Sequence, residues 1–170
     1  MKPLPFIRSF CLIALAGILS AGLAAPAHAT WSIVWADEFN GAALNTADWG
    51  YDVGTGCPSL CGWGNSELQY YTGGTRNAAH DGAGNLQITV RREEPGSGLR
   101  CWYGPCQYTS ARLITANKAE FAYGRIEARI KVPKGAGLRP AFWMLGASFD
   151  GKNWPDNGEI DIMEHVGFDQ

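Results

Sequence analysis

Three acidic residues lie close together in an apolar segment near the end of the sequence, GEIDIMEH, at Glu159, Asp161 and Glu164. The apolar residues between the acids, with glycines on either side, predict a β-strand rather than a helix. Side chains alternate along a strand, so Glu159 and Asp161 share one face. Glu164 has the wrong parity for that face, and we expect a β-bulge near Ile162 and Met163 to bring it round.

Carboxylates gathered in this way predict cleavage of a glycosidic bond. Like charges at close range favour a proton on one carboxyl while another stays ionised, and glycoside cleavage needs such a pair. The Cα atoms of Glu159 and Glu164 would lie roughly 12 Å apart along the strand, so their side chains can approach the ~5 Å separation of retaining enzymes. Trp143 and Trp154 favour this interpretation, because a sugar ring packs on a flat apolar platform. The alternative is a solvated face that happens to carry three acids.

The segment EIDIME, preceded by WP and by PAFWML, resembles glycoside hydrolase family 16, and within it the laminarinase-type endo-1,3-β-glucanases of bacteria. In that family the first Glu is the nucleophile, the last is the general acid/base and the Asp supports the nucleophile. The resemblance therefore implies these roles for Glu159, Glu164 and Asp161. The laminarinase branch also carries the extra residue before the last Glu. The likeness extends from about Trp35 to the last residue.

The resemblance implies an all-β fold, an antiparallel β-sandwich of the jelly-roll, concanavalin A-like type. It also implies retaining hydrolysis of 1,3-linked or mixed 1,3;1,4-linked β-glucans such as laminarin. The family domain is considerably longer, so we expect residues 30–170 to be its N-terminal portion and the sandwich to be incomplete. The alternatives are a non-catalytic β-glucan-binding protein, an inactive fragment, or a relative that acts on agarose, carrageenan or xyloglucan.

Four residues are candidates for binding sugar. Asn65, in the family-like segment GNSELQYY, can bond sugar hydroxyls, or else it caps its own turn. Arg112 matches a cleft arginine of the family, whose planar donors suit paired hydroxyls, although a surface ion pair is the alternative. Trp143 is the expected sugar platform or else a core residue, and Trp154 would close the other side of the donor sugar. Arg139 stands where laminarinases often have Trp, which leaves one outer contact open.

Periodic patterns and turn residues place the remaining strands. Alternation of apolar and polar residues is clearest from 121 to 132, where one face should meet the core and the other should meet water. A long loop rich in glycine and proline should occupy residues 93–103. We expect strands at residues 31–39, 86–92, 108–115, 121–132 and 138–145, and the last of these should lie beside the strand of the three acids.

The first residues predict export. Lys2 and Arg8 precede an apolar run at residues 10–19, and the sequence AHA ends at Ala29, which is typical of a signal peptide cut after that residue. No later stretch is long and apolar enough for a membrane span. Residues 1–29 hold two basic residues and no acidic ones, so the remainder has a formal charge of −4. Since its charges alternate rather than cluster, we expect no nucleic-acid partner. From the signal peptide we expect a secreted or periplasmic protein, and we also expect a monomer.

Four cysteines remain after the predicted cleavage, and an even number in an exported chain indicates disulfides. Three pairings are possible. We favour the two local ones, Cys57 with Cys61 and Cys101 with Cys106. Zinc is the alternative, but the spacings do not follow the paired C-x-x-C pattern.

The segment DEFNG bears on metal binding. Several family members bind a structural calcium ion near this segment, so the resemblance makes Glu38 a possible ligand, without the Asp that those members supply from their C-terminal part. No catalytic metal and no other cofactor is expected.

Overall fold

The computed structural model describes residues 30–147 and 154–167, and the predicted signal peptide, residues 1–29, lies outside them. Met1–Ala36 and Asp37–Gln170 form two separate units. The described residues of the first unit, 30–36, have no regular secondary structure. Among the residues described, no helix is long and apolar enough to cross a membrane.

The second unit is built almost entirely of short strands, as the sequence predicts. One 3₁₀ turn, Cys61–Gly64, is the only helical element among the residues described. The strands are β1 (Gly50–Asp52), β2 (Gln69–Tyr71), β3 (Ala78–His80), β4 (Leu86–Ile88), β5 (Arg91–Arg92), β6 (Arg100–Cys101), β7 (Gly104–Pro105), β8 (Tyr108–Ser110), β9 (Arg112–Ile114), β10 (Ala141–Leu145) and β11 (Glu159–Glu164).

These strands pair in small sheets. Antiparallel pairs join β1 to β9, β3 to β4, β6 to β7 and β10 to β11. Strand β8 lies between β5, which is antiparallel to it, and β2, which is parallel. The predicted antiparallel pairing therefore holds throughout these sheets except between β2 and β8.

Two predicted strands are each divided in the structure, because the chain changes sheet within them. Residues 86–92 form β4, which pairs with β3, and then β5, which pairs with β8. Residues 108–115 form β8 and β9 on either side of Ala111, and β9 pairs with β1. The strand predicted at 138–145 begins at Ala141, after Pro140, which has no N–H to donate to a neighbouring strand.

The strand predicted at residues 31–39 is wrong. Phe39 has a φ of 51°, a left-handed conformation that is incompatible with an extended strand. Its N–H donates to Oδ1 of Asp37 (2.8 Å), while Nε1 of Trp49 donates to the other carboxylate oxygen (2.8 Å). This local side-chain hydrogen bond takes a backbone donor that a strand would offer to its neighbour.

The strand predicted at residues 121–132 is also wrong, despite its regular alternation. Within the described residues these positions join no sheet, and the apolar Ile126, Ile130 and Val132 are exposed. The alternation is still visible in the ion pair between Arg125 and Glu127, which lie two residues apart with a 2.7 Å contact. A strand needs backbone hydrogen bonds to a neighbour, and alternation alone does not provide them.

The predicted disulfide pairing is confirmed. Cys57 is bonded to Cys61 and Cys101 to Cys106. The first closes the loop that leads into the 3₁₀ turn, and the second joins the last residue of β6 to the residue that follows β7. Each therefore restrains a segment that has little regular structure of its own.

The most buried side chains belong to a polar network rather than to an apolar core. Asn77 (1% exposed) donates to Thr89 O (2.7 Å) and Thr109 Oγ1 (3.2 Å), and accepts from Thr72 Oγ1 (2.6 Å). Thr109, fully buried, donates to Glu93 (2.7 Å). Buried polar groups that are satisfied in this way fix a unique packing, which here links β2, β3, β5 and β8.

Candidate active site

The three acids lie on one face of the β10–β11 pair. In its register, Leu145 is opposite Glu159, Trp143 is opposite Asp161 and Ala141 is opposite Glu164. Positions 141, 143 and 145 point to the same side of β10, because they alternate with 142 and 144. All three carboxylates therefore lie on the face that carries Trp143.

A bulge in β11 produces this arrangement. Phe142 is opposite Met163 and Trp143 is opposite Asp161, so Ile162 is the extra residue between them. The predicted bulge is confirmed, and it corrects the parity of Glu164. The opposite face of the pair carries apolar side chains at Phe142 and Met163.

Two glycines shape the approach to β11. Gly146 donates its N–H to Gly158 O (3.0 Å), and a Cβ on Gly146 would overlap the carbonyl oxygen of Asn157. Gly158 has a φ of 75°, which favours glycine. The end of β10 and the start of β11 can therefore approach closely, and this fixes where Glu159 begins the strand.

Charges around Glu159 act on its ionisation. Burial raises the pKa of Glu159 above its ordinary value, and the charge of Asp161, a hydrogen bond with Asp161 and the charge of Glu164 raise it further. The positive charge of Arg112 acts in the opposite direction. A nucleophile must be ionised, so the two neighbouring acids hinder the predicted role of Glu159 at low pH and Arg112 supports it.

We expect Asp161→Asn to move the acidic limb of the pH profile of kcat/KM to lower pH. Removing the negative charge of Asp161 lowers the pKa of Glu159, so the nucleophile stays ionised in more acidic solution. Losing the carboxyl group that supports Glu159 should also lower kcat by about 10-fold to 100-fold. Asp156→Asn, in the exposed turn before β11, is the control and should leave the limb in place. An acidic limb at unchanged or higher pH in Asp161→Asn would contradict this.

Arg112 lies on the same side as the acids and contacts two tryptophans. Its guanidinium carbon is 4.5 Å from the ring centroid of Trp63 and 4.9 Å from that of Trp143, both within cation–π range. Its Nε lies 2.9 Å from Oδ2 of Asp52. The structure thus brings Arg112 and Trp143 together with Glu159, and it adds Trp63 and Asp52.

Sequence reasoning did not select Trp63 or Asp52. Trp63 directly precedes the segment of Asn65, and an aromatic residue beside a candidate sugar-binding loop was a usable signal. Asp52 gave no such signal, because its importance depends on the register that places it opposite Arg112 in β1 and β9.

Among the described residues, no contact with this cluster is seen for the two other predicted binding residues. Asn65 is exposed, and its amide makes a long contact with Glu67 (3.5 Å). Trp154 is 65% exposed in the turn before β11, and no ring contact joins it to Trp143 in the part of the chain described. Their roles in sugar binding stay predictions.

Glu67 holds the loop of Asn65 to β2. It accepts hydrogen bonds from Gln69 Nε2 and from Tyr71 OH (2.8 Å). Burial and the neighbouring Glu67 carboxylate raise the pKa of Tyr71 above its ordinary range, so its hydroxyl keeps its proton and remains the donor. This carboxylate therefore has a structural part in shaping the loop.

Arg139, where the sequence departs from the family pattern, contacts one of the three acids. Its Nη2 donates to Oε1 of Glu164 at 2.6 Å, between side chains that are 48% and 39% exposed. A guanidinium thus lies beside Glu164, at a position where the resemblance implied a tryptophan.

Calcium binding by Glu38, a possibility that the resemblance implies, stays a prediction. Within residues 30–147 and 154–167, no group of three or more His, Cys, Asp or Glu side chains is arranged to hold a metal ion.

Comparison with known proteins gives consistent matches. Residues 65–170 match the family described as Glycosyl hydrolases family 16. A beta-glucanase of Rhodothermus marinus is 48% identical over 141 residues, which cover 81% of this chain and 45% of that protein. A glucan endo-1,3-beta-glucosidase of Cryptopygus antarcticus is 42% identical over 142 residues, covering 83% and 48%. The chain thus spans about half the length of these relatives.

A solved structure extends the likeness to the fold. The laminarinase catalytic domain of Thermotoga maritima MSB8 is 44% identical and superposes with a TM-score of 0.74, covering 82% of this chain and 53% of that one. The fold is therefore that of an antiparallel jelly-roll β-sandwich, which confirms the predicted fold class.

Proposed function

Because the chain belongs to glycosyl hydrolase family 16, we propose that it carries the catalytic acids of a secreted, retaining endo-β-glucanase. Its substrates would be 1,3-linked or mixed 1,3;1,4-linked β-glucans. The observation that supports this most is the bulged register of β11, which gathers Glu159, Asp161 and Glu164 on the face of Trp143. The relatives named as glucanases support the substrate class.

In the first step of the proposed reaction, a carboxylate oxygen of Glu159 attacks the anomeric carbon. The bond from that carbon to the glycosidic oxygen breaks, and Glu164 gives its proton to the departing oxygen. A covalent glycosyl-enzyme ester results. Asp161 lies beside Glu159 on the same strand face and would support the attacking carboxylate.

In the second step, Glu164 takes a proton from water, whose oxygen attacks the same carbon. The ester bond to Glu159 breaks and its carboxylate is restored. Two inversions at the anomeric carbon leave the product with the configuration of the substrate.

The charge pattern favours a neutral polysaccharide over a sulfated one. The two guanidinium groups placed near the acids each face a carboxylate, Arg112 with Asp52 and Arg139 with Glu164. Both positive charges are therefore balanced within the protein. A flat ring at Trp143 and hydroxyl-bonding groups suit an uncharged glucan.

Export is supported by the two disulfides together with the signal-peptide pattern of residues 1–29. The enzyme would thus meet its polysaccharide outside the cytoplasm. We propose that it works as a monomer and without a cofactor, since the proposed chemistry uses only carboxylates and water.

Retention is the direct test of this proposal. We expect the protein to release reducing ends from laminarin and lichenan, with the β-anomer appearing first in proton NMR spectra and the α-anomer following by mutarotation. The α-anomer appearing first would contradict the retaining mechanism. Binding of laminari-oligosaccharides without any hydrolysis would instead favour the non-catalytic glucan-binding alternative.

A further inference from the structure

Asp52 faces Arg112 across a strand pair beside the candidate active site. The two residues are direct partners in the β1–β9 register, and Arg112 Nε lies 2.9 Å from Asp52 Oδ2. Their side chains are 22% and 27% exposed, so the pair is partly shielded from water. Cross-strand partners of opposite charge in such a position restrain each other's side chains.

Arg112 depends on few other groups for its orientation. Its Nε is buried and has no well-aligned hydrogen-bond acceptor among the residues described, which leaves the Asp52 carboxylate as its close ionic partner. The remaining contacts are with the faces of Trp63 and Trp143, and ring faces attract a cation without fixing its rotation. Asp52 is therefore the group that sets the direction of the guanidinium.

The position of Arg112 matters for Glu159. Burial and the charges of Asp161 and Glu164 all raise the pKa of Glu159, and Arg112 is the cation that lowers it. Arg139 lies beside Glu164 instead. Any movement of Arg112 away from Trp143 would weaken its attraction for the ionised form of the predicted nucleophile.

We propose that Asp52 is a positioning residue, which fixes the guanidinium of Arg112 against Trp63 and Trp143 on the face that carries Glu159. It touches neither the sugar nor the reacting atoms in this account and acts through Arg112. The inference rests on the proposed function only in the role that it gives to Glu159.

The sign of the effect separates positioning from a direct influence of charge. If Asp52 acted on Glu159 through its own negative charge, its removal would lower the pKa of Glu159. If Asp52 acts by holding Arg112, its removal frees the guanidinium and the pKa of Glu159 rises. The two explanations therefore predict opposite shifts in a single measurement.

The test is an NMR titration of the carboxyl carbons in protein labelled with carbon-13 at Glu, with the Glu159 signal identified by its loss in Glu159→Gln. We expect Asp52→Ala to move the Glu159 midpoint to higher pH, by less than Arg112→Gln does. Asp52→Glu should restore most of the parent midpoint. In Asp52→Ala/Arg112→Gln, the midpoint should match that of Arg112→Gln alone, because both changes act through one group.

Glu127→Ala is the matched control, since it removes a carboxylate from the exposed Arg125 ion pair and should leave the Glu159 midpoint unchanged. If Asp52→Ala does not fold, Asp52→Asn serves in its place, with the same expected direction. An unchanged or lowered midpoint in the folded variant would overturn the inference, as would an additive shift in the double variant. The titration needs no hydrolysis, so it tests the positioning of Arg112 even if the proposed function fails.

Discussion

Glu159→Gln is expected to lower kcat on laminarin by about 10⁴-fold or more. An amide of the same size keeps the side-chain volume but cannot form the ester with the anomeric carbon. The position of Glu159 at the start of β11 depends on backbone pairing with Leu145, so the substitution should leave the strand in place. Release of reducing ends at saturating laminarin measures the loss.

Chemical rescue distinguishes a lost nucleophile from a general defect. In Glu159→Ala, azide can occupy the space of the missing carboxylate and attack an activated β-glucosyl donor directly. One displacement inverts the configuration, so the product should be an α-glycosyl azide. Glu127→Gln, in an exposed ion pair with Arg125, should behave as the parent. Activity of Glu159→Gln equal to that of the parent would remove Glu159 from its proposed role.

The arrangement of the acids could be predicted from the sequence because it depends on the number of residues between them. Strand parity is fixed by backbone geometry, so three acids at 159, 161 and 164 share a face only if one residue is extra. The register supplies that residue at Ile162. The local disulfides followed for a similar reason, since separations of four and five positions along the chain leave little freedom in where each cysteine lies.

Long-range pairing limited what else could be predicted. The segment 121–132 has a strand pattern but no neighbour in a sheet among the residues described, and no local pattern reveals whether a neighbour exists. At Phe39, one hydrogen bond from the backbone N–H to the Asp37 carboxylate favoured a turn over the apolar pattern around it. Likewise the link between Asp52 and Arg112 joins residues 60 positions apart, and only the β1–β9 register reveals it.

The contact between Arg139 and Glu164 bears on both proton transfers of the proposed reaction. The guanidinium donates to Oε1 of Glu164 at 2.6 Å, and a proton on the carboxyl group is therefore best carried by the other oxygen. Glu164 must give its proton to the leaving oxygen and later take one from water, so this ion pair orients the carboxyl group through both transfers. The role of Glu164 can therefore be tested by comparing two substrates, one whose leaving group needs a proton and one whose leaving group does not.

Glu164→Gln should lower kcat on laminarin by about 10²-fold to 10⁴-fold. With dinitrophenyl β-laminaribioside, however, the variant should form the glycosyl-enzyme nearly as fast as the parent. The sugar leaving group needs the proton of Glu164, whereas dinitrophenolate departs without one. The second step still lacks its base, so a burst of dinitrophenolate should precede slow turnover and the ester on Glu159 should accumulate, visible by mass spectrometry. Azide should then react with that ester to give a β-glycosyl azide in Glu164→Ala, because two displacements restore the configuration.

Arg139→Gln is the matched control for the leaving-group experiment. It removes the ion pair and keeps the carboxyl group of Glu164, so the ratio of activity on laminarin to activity on the dinitrophenyl substrate should fall far less than in Glu164→Gln. If Glu164→Gln lost the same factor on both substrates and showed no burst, the missing group would not be the proton donor. An α-glycosyl azide from Glu164→Ala would point further, because it would place the vacant space on the nucleophile's side of the sugar and exchange the roles assigned to the two glutamates.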